Sequence, residues 1–85
     1  MYCILVVVRF AVGDGAVKPG RGISEDDVFH VVATGDYLGA DKDGLMWWLG
    51  ETETERGIEV AGAESRRFGN TIMLIHSMPM EWRKQ

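Results

Sequence analysis

The sequence predicts an α+β domain, an antiparallel meander sheet of three to five strands with one main helix packed on one face. Three observations carry this. Capping chemistry marks a single helix start at Ser24, β-branched and aromatic runs recur on both sides of it, and short Gly- or charge-rich turns separate those runs. A chain of 85 residues at 46% hydrophobic content holds one core, so residues 1–85 read as a single folded domain.

Tyr2–Phe10 is rich in Val and Ile, and its apolar run, interrupted only by Arg9, predicts a strand buried on both faces. It resembles the apolar part of a signal peptide, but it has no basic region before it and is far too short to span a bilayer. Residues 11–22, AVGDGAVKPGRG, read as a long loop. Their glycines match neither the dinucleotide fingerprint nor the Walker spacing, despite Lys18, so a connector is expected and not a phosphate cradle.

Ser24 stands three positions before Asp27, a capping box with Asp in place of Glu, and Ile23 and Val28 fill the two positions of a hydrophobic staple. Glu25 and Asp26 suit the positive end of the helix dipole. Val28, Val31 and Val32 form the apolar stripe, and Gly35 is placed to close the helix in a left-handed cap. His30 lies off that stripe, with no Asp, Ser or Cys four residues away, and reads as a surface histidine.

A short strand is expected at Tyr37 and Leu38, then a hairpin turn at Asp43-Gly44, then a strand LMWWLG that puts Trp47 and Trp48 on opposite faces. Glu51–Arg56 is a charged turn without the ligand spacing of a calcium loop. Gly57–Ala63 alternates as a strand half exposed to solvent, and Glu64–Asn70 is a turn carrying Arg66 and Arg67. Thr71–Ser77 is a buried strand with one polar exception, His76, near its end, and Pro79 stops it. By alternation His76 shares a face with Ile72, Leu74 and Met78. The amino-terminal strand pairs either at an edge or with the central strand.

The formal charge of −4 argues against binding nucleic acid by bulk electrostatics. One cysteine, Cys3, allows no internal disulfide and no thiolate zinc cluster, so a reducing, cytoplasmic compartment, no metal and no cofactor are expected. No segment reaches membrane length.

RGISEDDV followed by Gly-Asp, then WWLGETETERGIEV, then TIMLIHSMPMEWR resembles the small bacterial proteins of the BrnT-like group, which stand with the RelE/ParE-type toxins of toxin–antitoxin pairs. The resemblance covers Arg21–Arg83, and its most specific parts are LGET…RGIEV and IHSMP. It implies a metal-independent endoribonuclease neutralised by a cognate antitoxin. Carried over by position, it implies catalytic roles for His76, Arg56 and Arg83. Relatives usually begin with a basic or histidine-bearing helix, where this chain has an apolar strand and a glycine-rich loop.

RNA transesterification needs a base, an acid and positive charge on the phosphate. His76 has the pKa range for either proton role, Arg56, Arg66, Arg67, Arg83 and Lys84 supply cations, and Trp82 is the tryptophan best placed to stack on a base or a partner. Arg66 and Arg67 are expected far from His76, at the start of its strand. A non-enzymatic interaction module, homodimeric or binding another protein through Trp and Met side chains, is the alternative. The net acidity and the altered amino terminus favour it.

Overall fold

Local capping positions the one helix. In the computed structural model, which describes residues 8–13, 15–17, 20 and 22–83, the Ser24 hydroxyl accepts from the Asp27 N–H at 3.2 Å. The Asp27 carboxylate accepts from the Ser24 N–H at 3.0 Å, which closes the capping box. Ile23 and Val28 are both buried, as the staple requires, and α1 runs Glu25–Thr34.

Five strands follow the order β1-β5-β4-β3-β2: β1 Arg9–Val12, β2 Asp36–Ala40, β3 Met46–Glu51, β4 Gly57–Glu64 and β5 Thr71–Pro79. Strands β2 to β5 form an antiparallel meander, and β1 lies at an edge, parallel to β5. The sheet is therefore mixed, and the helix carries the chain from one edge to the other. A 3-10 turn, Met80–Arg83, ends the described chain. No helix among the described residues is long and apolar enough to cross a membrane.

One face of the sheet holds the core. Val28 and Val31 of α1 meet Trp48, Ile58, Val60 and Leu74, with Phe10 and Val12 packed alongside. Phe10 sets its ring edge-on to Trp48 at 5.8 Å. Each such fully buried aliphatic side chain contributes about 1.5–3 kcal/mol.

Several sequence expectations shift. The strand expected over Tyr2–Phe10 falls on described residues only from Val8, and it continues through Ala11 and Val12, which read as loop, because the ladder with β5 holds as far as Val12↔Leu74. Gly35 is extended (φ −82°, ψ −175°), not left-handed. Its lack of a side chain answers a different need, since an added Cβ would sit 2.6 Å from the Val31 oxygen and 2.7 Å from the Leu49 oxygen. The Asp43-Gly44 hairpin forms as a three-residue loop with Gly44 at φ +84°, and Asp41 and Leu45 close its base.

Strand β4 is not half exposed. Glu59 and Ala61, on the side away from the helix, are buried along with Ile58 and Val60. Their larger neighbours on β3 and β5 close over the short Ala61 side chain and flank Glu59.

Candidate functional site

A bulge decides where His76 points. Strand β5 pairs Leu74 with Gly62 but His76 with Ala61, so Ile75 is an extra residue and the alternation slips by one. Leu74 faces the helix, whereas His76 turns to the opposite side with Met78. The expectation that His76 shares a face with Ile72 and Leu74 is thus corrected, and only Met78 remains its companion. His76 is also the sixth residue of a strand ending at Pro79, well inside β5.

On that second face Trp47, Ala61 and His76 stand in register across β3, β4 and β5. The indole and imidazole meet edge-to-face at 5.8 Å. Leu49, Glu59 and Met78 form the next row. The Glu59 carboxylate accepts from His76 Nε2 at 3.1 Å; its side chain is 8% exposed and that of His76 is 32%. Since an ionised carboxylate only accepts, the proton of a neutral ring sits on Nε2 and leaves Nδ1 as a hydrogen-bond acceptor. Sequence reading did not select Glu59. The signal was its position in β4 opposite the strand that carries His76, which only the register reveals.

Beside this pair, between β2 and β3, is a cavity of about 360 Å³ whose lining includes Leu38, Gly39, Asp41, Trp47, Leu49 and Glu59. Asp41 accepts from the Trp47 indole N–H at 3.0 Å and from the backbone N–H groups of Asp43 at 2.9 Å and Leu45 at 3.0 Å. These donors, the indole first, hold its carboxyl below the usual 3.8. Gly39 stands opposite Trp47, past a bulge at Leu38, with φ +102°, and a Cβ there would meet nothing.

Among the described residues no arginine side chain is bonded to His76. Arg56 is engaged by the Gly22 carbonyl at 3.2 Å and by Glu81 at 3.1 Å, a clamp that ties the turn before β4 to both the helix approach and the 3-10 turn. Arg56 stands just before β4 and Arg66 just after it, each five positions from Ala61, the partner of His76. Arg67 lies over the Phe68 ring at 5.4 Å in the β4–β5 turn. The backbone of Trp82 and Arg83 is in the 3-10 turn, while their side chains, with Lys18, Lys84 and Cys3, lie outside the described residues.

The second histidine, His30, is 3.9 Å from Glu53 on the outer side of the helix. Among the described residues no group of three or more His, Cys, Asp or Glu side chains is placed to hold a metal. No protein-family model, no curated protein and no solved structure matches this chain.

Proposed function

We propose that this chain is a toxin-like component of a toxin–antitoxin pair that acts as a non-enzymatic binding module, holding a protein partner on the sheet face opposite α1. The observation that carries the reading is that face itself. Among the described residues no helix packs on it, and it presents Trp47, Leu49, Met73 and Met78, all part-exposed, around the Glu59–His76 pair. Half-exposed apolar side chains grouped on one side of a small domain are the usual mark of a binding surface.

Size and charge narrow the partner. Four strand spacings by a strand of about seven residues give a flat patch on the order of 450 Å². A stable interface between two folded domains needs about 800 Å² per side. The face thus suits a segment of chain, such as the tail of an antitoxin, better than a second globule. A second copy of this chain would also set Asp41 and Glu59 against their own equivalents at a net charge of −4 per copy. A basic segment is the better complement.

The test is selection of random peptides on the immobilised chain, with the Trp47→Glu chain as counter-selection. The reading expects enriched peptides that lose binding to the variant. Peptides that bind both chains equally, or no enrichment, would refute it.

A second reading, the metal-independent endoribonuclease, is favoured by the Glu59–His76 pair, in which the carboxylate fixes the ring and leaves Nδ1 to take a 2′-hydroxyl proton, with Trp47 as a platform for a base. Against it stands the lack of a described arginine beside His76 to carry the phosphate charge. Induced expression in a bacterial host separates the two. Growth arrest and RNA cleavage that disappear in His76→Ala favour the nuclease, and unimpaired growth favours the module.

A further inference from the structure

We infer that the cavity between β2 and β3 is a receptor for one cationic side chain, a guanidinium or alkylammonium group, delivered by the basic segment that docks on the open face. This rests on the binding-module reading and adds to it a site and a ligand chemistry.

Four features converge on that cavity. Its volume, about 360 Å³, lies at the low end of small-ligand sites, which span roughly 300–1,000 Å³, and so fits one side chain or a small cation. Its lining combines an indole, Trp47, with the aliphatic side chains of Leu38 and Leu49, surfaces that accept the methylene stem of Arg or Lys. Glu59, 6% exposed, and Asp41, at the rim, bring carboxylates from two different segments. The space exists because Gly39, opposite Trp47, carries no side chain and its bulge turns Leu38 outward, 59% exposed.

The charge around it is mostly negative. Asp36 pairs with Leu49 at the neighbouring position of the same two strands, adding a third carboxylate to that side. His76 meets Glu59 from the β5 side, and Lys42 lies in the turn beyond Asp41. An indole and a carboxylate acting together favour a cation over a neutral group of equal size, since both the ring quadrupole and the formal charge attract it.

The Trp47 indole N–H, already bonded to Asp41, is a built-in reporter. The experiment records amide and indole resonances of the nitrogen-15-labelled chain during titration with Nα-acetylarginine amide, Nα-acetylcitrulline amide and Nα-acetylnorleucine amide. Saturable shifts of the Trp47 indole and of the Gly39 and Leu49 amides are expected with the arginine compound at millimolar concentration. The neutral compounds should bind at least about tenfold more weakly, as expected when about 1.4 kcal/mol of charge interaction is lost.

Asp41→Asn and, separately, Glu59→Gln should each weaken the arginine compound several-fold, with native dispersion of the amide spectrum showing that each variant is folded. Equal binding of the norleucine compound, or shifts centred elsewhere, would overturn the inference. The two claims fail separately. Selected peptides without Arg or Lys that still need Trp47 would remove the cation site and leave the module. Arginine binding with no selectable peptide would do the reverse.

Discussion

Placing an alanine at Gly35 tests how the helix is seated on one face of the sheet. The backbone there, φ −82° and ψ −175°, is open to any residue, so any cost is steric. An Ala Cβ would meet the Val31 oxygen at 2.6 Å, the Leu49 oxygen at 2.7 Å and the Gly50 Cα at 3.1 Å, the first two nearly an ångström inside ordinary contact. All three obstacles are backbone, and none can rotate away. Either the end of α1 lifts from β3 or the ladder between β2 and β3 distorts.

Overpacking of this kind costs about 1–3 kcal/mol, and backbone obstacles place Gly35→Ala near 3 kcal/mol. At roughly 0.05–0.15 kcal/mol per residue, that is a quarter or more of the stability of a chain this short. Thermal unfolding followed by circular dichroism should show a fall in Tm of at least about 12 °C, at roughly 4–8 °C per kcal/mol. Gly69→Ala is the control, since a Cβ there meets nothing and its φ is ordinary; it should be neutral or stabilising by about 0.4–1 kcal/mol. Equal Tm values for Gly35→Ala and the control would refute the close approach of helix and sheet.

Ser24→Ala should cost about 1 kcal/mol in urea unfolding, because it removes the hydroxyl that accepts from Asp27 N–H. Leu74→Ala should cost about 2–5 kcal/mol and Ile75→Ala much less, since the bulge buries the first and leaves the second 40% exposed; similar costs would contradict the slipped register. Asp41 has a lowered folded-state pKa, so its contribution is complete above its unfolded pKa near 3.8 and is lost as pH falls through the lower folded value. Acid unfolding below about pH 4 should therefore be steeper in the wild-type chain than in Asp41→Asn.

The helix was legible because its signals are local. Ser24, Asp27, Ile23 and Val28 lie within six positions, and each does in the fold what its chemistry suggests. Trp47 and Trp48 diverge to opposite faces because strand alternation is unbroken through β3. The face of His76 was not legible, since one unpaired residue, Ile75, inverts everything after it and no Gly or Pro stands beside it to announce the bulge. Glu59 was missed for a related reason: its partner is 17 positions away, and only the β4–β5 register joins them. The contacts of Arg56 to Gly22 and Glu81 were likewise not legible, because those residues lie 34 and 25 positions away.

The proposed working surface is the open sheet face, not the helix side. Titrating a selected peptide into the nitrogen-15-labelled chain and mapping the shifted amides tests it most directly. Shifts are expected to concentrate at Trp47, Leu49, Glu59, Ala61, His76 and Met78, with α1 unmoved. Shifts concentrated on the outer side of α1, around Phe29, His30 and Ala33, with the sheet face unchanged, would contradict it.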